Sequence, residues 1–241
     1  MYTIKREISS SNVNKNGELH LHEAFNFMLD ICAFHMDNIK VLNDFFIENN
    51  YSVFLKAAQI DVIKTPVYRD KLTITDEIYS GKGIYGLRGI TIKNDKNEVC
   101  YKAHLTGVFV NLETGAPIKL TDEIINDSEI NENKINMEIL PRKISISGDI
   151  KKVEKLVIPQ SFIDMNKHMN STYYLRLAED ILNEEFDYNR ARVEYKMQIK
   201  QGSTIRIELM DSENPCVCIY EDKENTHLAT VEFSKVEKIR A

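Results

Sequence analysis

One order of sequence patterns occurs twice along this chain, and this repetition constrains the fold more than any other feature. In each half, a short alternating segment precedes a helical pattern, and further alternating segments follow between turn residues. The apolar stripes of the two helical patterns are Phe25, Met28, Leu29, Cys32 and Met36 in the first half, and Tyr174, Leu177, Ala178, Ile181 and Leu182 in the second. The two halves share little sequence identity, so we predict a duplicated domain whose two copies have diverged in sequence.

Alternating segments predict the strands of each half. They are 2–8, 52–63, 71–81, 86–94 and 98–112 in the first half, and 152–158, 191–199, 204–210, 216–222 and 227–236 in the second. A helix wrapped by an antiparallel sheet is an α+β arrangement, and two copies allow the sheets to join edge to edge. Residues 121–143 have the composition of a linker. We therefore predict an N-terminal domain over 1–120, a linker over 121–150 and a C-terminal domain over 151–241.

Composition and charge exclude several classes of protein. No apolar run of about 18 residues occurs, so we expect no membrane span. Charges stand in the N-terminal segment where a secretory signal would have its apolar region, so we expect a cytoplasmic protein. The net charge of -6 removes the broad attraction that nucleic-acid binding requires, so we expect no nucleic-acid partner.

The four cysteines do not indicate a metal or redox site. Cys32, Cys100, Cys216 and Cys218 are scattered, and the C-V-C pair places two side chains on one face of a strand. No His or Cys partner stands at ligand spacing, so we predict reduced thiols, no metal and no cofactor.

A cluster of polar side chains stands immediately before the second helical pattern. It contains Asp164, Asn166 and His168, and we predict that Asn170 or Ser171 caps the helix that follows. Because positions 164, 166 and 168 alternate, an extended segment would place their side chains on one side. Capping residues and a structural histidine would produce the same composition, so the residues alone leave catalytic and structural roles open.

The same segment resembles a signature of the acyl-ACP thioesterases of plants and bacteria. Residues 164–174, DMNKHMNSTYY, are similar to D-x-N-x-H-V-N-N-x-x-Y, with methionine in place of the valine and serine in place of the second paired asparagine. Residues 194–196, EYK, resemble the family's E-Y-R, and residues 231–233, VEF, resemble its T-E-W. The resemblance covers nearly all of the chain and implies a tandem (double) hotdog, in which each long antiparallel sheet wraps around a central helix.

This resemblance implies hydrolysis of the thioester of fatty acyl-ACP to free fatty acid, with acyl carrier protein as the partner. His168 is then the expected general base, because a histidine with an ordinary pKa of about 6.5 is neutral at cytosolic pH. Asn166 is expected to hold the water or polarise the thioester carbonyl. Asp164 is expected to accept a hydrogen bond from the imidazole or from backbone N–H groups. The amides of the first helical turn are further candidates for oxyanion donors.

The chain departs from the family shortly after EYK. Plant members carry an acid and a cysteine in E-Y-R-R-E-C, where this chain has Gln198 and Ile199. The missing cysteine favours water attack over an acyl-enzyme route. Gln198 is a candidate for binding that water, and an ordinary polar strand residue is the alternative. The first half lacks a D-x-N-x-H run, so we expect one active site, in the second half. The resemblance implies that the first helix and the strand over 52–63 line the acyl pocket, with ordinary core packing as the alternative.

Two further predictions concern partners and the remaining histidines. Lys151, Lys152 and Lys155 are a candidate docking surface for an acidic carrier protein, with a solvated linker as the alternative. The other histidines, His20, His22, His35, His104 and His227, are expected at the surface or in strands. An acyl-CoA thioesterase and a non-catalytic acyl-binding double hotdog remain alternative functions. A homodimer is left open, and the sequence does not indicate the acyl chain length.

Overall fold

The predicted order of elements recurs in two units of the computed structural model, which describes residues 1–81, 83–127, 135–182, 186–237 and 239. The first unit comprises mainly Met1–Lys56 and Ile60–Ile139, and the second comprises Ala57–Gln59 and Leu140–Ile239. Each unit combines a central helix with a long antiparallel sheet.

The first unit contains three helices and five strands within the described residues. They are β1 (Tyr2–Glu7), α1 (Leu21–Asn38), α2 (Lys40–Glu48), β2 (Tyr51–Val62), β3 (Lys71–Ser80), β4 (Tyr85–Lys93), β5 (Val99–Asn111) and α3 (Asp122–Asp127). The strand order is β1-β3-β4-β5-β2, and the pairs β1–β3, β3–β4 and β4–β5 are antiparallel. Helix α1 packs against β1 and β3.

The second unit repeats this plan with a shorter helix. Its elements are β6 (Asp149–Val157), α4 (Ser171–Ile181), β7 (Arg190–Tyr195), β8 (Thr204–Asp211), β9 (Cys216–Glu221) and β10 (His227–Ser234). The strand order is β7-β10-β9-β8-β6, with antiparallel pairing throughout. A short 3-10 turn at Gln160–Phe162 leads from β6 towards α4.

Alternation along β3 shows how the first sheet presents an apolar face to its helix. Leu72, Ile74 and Ile78 are buried at every second position, and Phe25 and Met28 of α1 are fully buried. Burying an apolar side chain of this size contributes about 1.5–3 kcal/mol, so the two-residue period of the strand and the helical period of α1 together account for this core.

Three local features differ from the sequence-based expectations. Helix α2 was not predicted; it is short, follows α1 after Ile39, and buries only Leu42 and Phe46 in a small cluster with Phe109 and Leu120. Strand β7 ends at Tyr195 instead of continuing to residue 199, because the N–H groups of residues 196 and 197 both donate to the carbonyl of Leu228. A helical turn, α3, occurs within the predicted linker.

The buried face of α1 is also displaced from the predicted stripe. It carries Leu21, Ala24, Phe25, Phe27, Met28, Ile31 and His35, whereas Leu29, Cys32 and Met36 are only partly buried. Among the described residues, no helix combines the length and the apolar character needed to cross a membrane.

Candidate active site

Asp164 closes a tight turn before α4. Its Oδ1 accepts hydrogen bonds from the backbone N–H of Asn166 at 2.8 Å and of His168 at 3.3 Å. Its own N–H donates to the His168 carbonyl at 2.9 Å, and the N–H of Lys167, at a φ of 65°, donates to the Asp164 carbonyl at 3.0 Å. One carboxylate therefore fixes, through two hydrogen bonds, the backbone of the turn that carries Asn166 and His168.

This turn corrects the expectation of an extended segment. Ile163 and Met169 form an antiparallel bridge, and the five residues between them reverse the chain. A side-chain acceptor that bonds N–H groups further along the chain favours such a turn over a strand, which the alternation of polar residues could not reveal. Asn166 is exposed on the turn, whereas Asp164 and His168 are partly buried.

The imidazole of His168 contains a buried nitrogen with no hydrogen-bond partner among the described residues. Nδ1 is shielded from solvent, and no described residue bonds to it. Leaving a buried polar atom unpaired costs about 1–3 kcal/mol, and such atoms call for an explanation, such as a catalytic role. An unpaired imidazole nitrogen can accept a proton or a hydrogen bond, depending on the tautomer.

The start of α4 confirms the predicted cap but removes two of the expected oxyanion donors. Asn170 is the N-cap, and its side chain accepts from the Thr172 N–H at 3.0 Å. The Tyr173 N–H donates to the Asn170 carbonyl at 3.0 Å. These two amides of the first turn are therefore occupied and do not face a substrate as free donors.

Two hydrogen bonds fix the turn and α4 to the segment around β7. The Tyr195 hydroxyl donates to the Ser171 carbonyl at 2.8 Å, and the Met169 N–H donates to the Ile199 carbonyl at 2.8 Å. Tyr174 packs edge-on against Tyr195, with ring centroids 5.1 Å apart. Burial raises the pKa of both tyrosines, so their hydroxyls stay protonated and act as hydrogen-bonding and packing groups.

Gln198 lies outside the strand in which it was expected. It is exposed in the irregular segment that follows β7. Its neighbour Ile199 is buried, and the Ile199 carbonyl accepts a hydrogen bond from the Met169 N–H. Gln198 precedes Ile199 in the sequence, and His168 precedes Met169. The backbone thus brings position 198 close to the turn, although 30 residues of sequence separate it from position 168.

The first unit contains the same turn with different side chains. Asn14 Oδ1 accepts from the N–H of Asn16 at 2.9 Å and of Glu18 at 3.1 Å, and the Asn14 N–H donates to the Glu18 carbonyl at 2.8 Å. Gly17, at a φ of 79°, occupies the place of Lys167. The turn is therefore a repeated element of the fold, and the feature particular to the second unit is the histidine in the place of Glu18.

The three candidate docking lysines lie on β6, the last strand in the order of the second sheet, and all are exposed. Each forms an ion pair: Lys151 with Asp211 at 3.2 Å, Lys152 with Glu154 at 2.7 Å, and Lys155 with Asp222 at 2.8 Å. Exposed pairs of this kind contribute about 0–1 kcal/mol, so an incoming carboxylate can compete for the lysines at little cost.

The cysteines carry protonated thiols. Burial raises the pKa of Cys32 and Cys216 to about 12. Burial likewise raises the pKa of Cys100 and Cys218 to about 11. Nucleophilic attack requires the thiolate, so none of the four is activated. Within the described ranges, no group of three or more His, Cys, Asp or Glu side chains is arranged to hold a metal ion.

The expectation of a surface or strand position was wrong for His35, and His22 likewise lies on α1, where it is partly buried. His35 was expected at the surface or in a strand, but it is buried on α1, where Nδ1 lies 2.8 Å from Asp76 Oδ2 on β3. The partner stands 41 positions away in the sequence, so local pattern could not identify it. The available signal was Asp76 itself, a charged residue at an inward position of an alternating strand.

Sequence models of one family match both parts of the chain. The acyl-ACP thioesterase N-terminal domain matches residues 1–128, and the acyl-ACP thioesterase C-terminal domain matches residues 149–236. A search of curated proteins finds no match.

Solved structures share the fold along nearly the whole chain. The 12:0-ACP thioesterase from Umbellularia californica aligns with a TM-score of 0.84 at 15% identity, covering 99% of this chain and 96% of that chain. An acyl-ACP thioesterase from Bacteroides thetaiotaomicron aligns with a TM-score of 0.82 at 18% identity, covering 97% of this chain and 96% of that chain. At these identities the similarity establishes the fold, and the predicted α+β double hotdog is confirmed.

Proposed function

Because this chain belongs to the acyl-ACP thioesterase family, whose members are thioester hydrolases, we propose that it hydrolyses fatty acyl-ACP by water attack assisted by His168 and Asn166. The observation that carries the proposal is the buried, unpartnered Nδ1 of His168 within the residues that resemble the family signature. The test is the release of free thiol from acyl-ACP by the purified protein, with acyl-CoA of the same chain length as the comparison.

In the proposed reaction, His168 takes a proton from water as the water oxygen attacks the thioester carbonyl carbon. A tetrahedral oxyanion forms, and it collapses by breaking the carbon–sulfur bond. The imidazolium returns the proton to the departing carrier thiolate, so the products are a free fatty acid and the carrier thiol. General base catalysis of this kind contributes roughly 10²–10⁴-fold to the rate.

Asn166 and Asp164 have separate proposed roles. The Asn166 amide, exposed on the turn, is the proposed hydrogen-bond donor to the carbonyl oxygen as negative charge develops, and one such donor contributes roughly 3 kcal/mol. Asp164 is a positioning residue, since its carboxylate bonds to backbone N–H groups of the turn. Gln198 is proposed to bind the attacking water through its amide, a role that its place beside Ile199 supports.

Thiol alkylation is expected to leave acyl-ACP hydrolysis unchanged within about twofold, because no thiol is activated as a nucleophile. The measurement is the initial rate before and after incubation with iodoacetamide near neutral pH, with mass spectrometry to count the modified cysteines. The same instrument examines enzyme that is quenched during turnover, and we expect no acylated protein. An acyl adduct on any residue would reverse the assignment of water attack.

Charge reversal of the docking lysines to glutamate, at positions 151, 152 and 155, is expected to raise KM for acyl-ACP steeply and to spare a short acyl-CoA. An acidic carrier approaching a chain of net charge -6 needs a local basic surface, and added salt should weaken the wild type in the same way. The matched control reverses Lys64, Lys71 and Lys96, three exposed lysines of the first unit. Equal losses on both substrates, or none on either, would exclude this docking surface.

The two alternative functions give different results in the same assay. An acyl-CoA thioesterase would release thiol from acyl-CoA at least as well as from acyl-ACP. A non-catalytic acyl-binding protein would bind both substrates and release no thiol from either. The cytoplasmic location stays a prediction from the sequence, and a homodimer stays an open alternative.

A further inference from the structure

A buried polar cluster occupies the inner face of the first sheet. Asp76 on β3 is fully buried, and its Oδ2 lies 2.8 Å from His35 Nδ1 on α1 and accepts a hydrogen bond from Arg88 on β4. Arg88 also donates to the Cys32 carbonyl of α1 at 3.2 Å. The ring of Tyr2 stacks on His35 with centroids 5.5 Å apart. Side chains from α1 and β4 therefore both bond to one carboxylate oxygen of a residue on β3.

The second oxygen of this carboxylate has no partner in the part of the chain that the structure describes. Asp76 Oδ1 is buried, and no described residue donates a hydrogen bond to it. Both donors of the cluster use Oδ2 instead. A buried charged group with an unmet acceptor costs at least about 1–3 kcal/mol, so the arrangement is unfavourable unless a further molecule supplies a donor.

Stability of the core does not explain the cluster. Asp76 stands between Ile74 and Ile78 on the inward face of β3 and pairs in register with Ile90 of β4, and all three isoleucines are buried. Replacing a buried ion pair by apolar residues of similar volume is often neutral or stabilising. The cluster therefore calls for another explanation, and the unpartnered oxygen in apolar surroundings is compatible with an apolar ligand that carries one hydrogen-bond donor.

We propose that the first unit recognises a hydroxyl group on the acyl chain, which donates a hydrogen bond to Asp76 Oδ1. A carboxylate only accepts hydrogen bonds, so the ligand must bring the donor, and on a fatty acyl chain that donor is a hydroxyl. Ile74, Ile78 and Ile90 are the apolar neighbours of Asp76 on the sheet. This inference rests on the proposed function, because it names hydroxyacyl-ACP as the substrate class of the same enzyme.

The test compares acyl-ACPs of one chain length that carry no hydroxyl, or one hydroxyl near the thioester, in mid-chain or at the terminus. We expect wild-type kcat/KM to be at least about tenfold higher for one hydroxylated isomer than for the unsubstituted chain, since a hydrogen bond to a charged group is formed only with the former. The double variant Asp76→Leu with Arg88→Met removes both charges together, and this preference should fall to about one. Leu72→Ile, on the same face of β3 but outside the three isoleucines around Asp76, is the matched control and should keep the wild-type ratio.

A binding measurement on the wild type keeps the proposal testable if the double variant does not fold. Free hydroxylated fatty acid should bind at least about tenfold more tightly by calorimetry than the unsubstituted acid of equal length. If all acyl-ACPs are hydrolysed without preference and the two acids bind equally, a water occupies Oδ1 and the inference is overturned while the proposed function stands. If no acyl-ACP is hydrolysed, the proposed function fails, and the two binding constants alone decide whether the hydroxyl site exists.

Discussion

Replacing His168 with alanine is expected to lower kcat for acyl-ACP hydrolysis by roughly 10²–10⁴-fold, the contribution of a positioned general base. The variant removes the only proposed group on the turn that can take the proton from water, while Asn166 and the turn itself remain. Folding should be little affected, because His168 is partly buried and its Nδ1 bonds to no described residue. The measurement is steady-state thiol release from acyl-ACP, with the melting temperature recorded for each variant.

Glu18→Ala is the matched control for this experiment. Glu18 holds the equivalent place in the turn of the first unit, where its N–H also donates to the side chain that closes the turn. We expect this variant to keep kcat within about threefold, because the first unit carries no histidine at that place. A His168→Ala enzyme with wild-type kcat would remove His168 from the mechanism, and a comparable loss in Glu18→Ala would indicate a general effect on folding.

The fold could be predicted from the sequence because it depends on a hydrophobic periodicity that occurs in both halves of the chain. Leu72, Ile74 and Ile78 show the two-residue period of β3, and Phe25 and Met28 lie on the predicted helical stripe of α1. These signals come from many residues, so a single exception does not alter the outcome. Helix α2 carries only two buried residues, and a signal that small does not distinguish a helix from a loop.

The geometry of the candidate site was accessible only in part. Asn170 could be predicted as a cap, since the preference depends on residue type and position before a helix. The chain reversal between Asp164 and His168 depends on hydrogen bonds that one side chain accepts from two backbone N–H groups. The alternation of polar residues in the sequence indicates a strand instead. The partnership of His35 and Asp76 depends on tertiary contact between α1 and β3, which has no local signature.

The repeated turn changes how Asp164 should be understood. In the first unit an uncharged Asn14 closes the same turn with the same two backbone hydrogen bonds, so the geometry does not require a negative charge. In the second unit Asp164 Oδ1 likewise meets backbone N–H groups, including that of His168. The carboxylate therefore meets His168 through the backbone N–H, and the geometry of the turn does not depend on its charge.

Asp164→Ala and Asp164→Asn are expected to differ sharply. Alanine removes the acceptor of two backbone hydrogen bonds, which should lower the free energy of unfolding by about 1–2 kcal/mol. It should also lower kcat by roughly 10²-fold, because a displacement of about 1 Å in a catalytic group has that effect. Asparagine keeps the acceptor oxygen, as Asn14 does, so we expect both stability and kcat to return close to the wild-type values.

Asn14→Ala separates the stability effect from the catalytic one. It removes the equivalent two backbone hydrogen bonds in the first unit, together with the bond from the Asn14 amide to Glu18 Oε2, and should lower the free energy of unfolding by at least about 1–2 kcal/mol, with kcat unchanged. Urea unfolding and steady-state kinetics on the three variants give both quantities. If Asp164→Asn is as inactive as Asp164→Ala while its stability is restored, the charge itself acts on the reaction, and the assignment of Asp164 as a backbone-positioning residue is wrong.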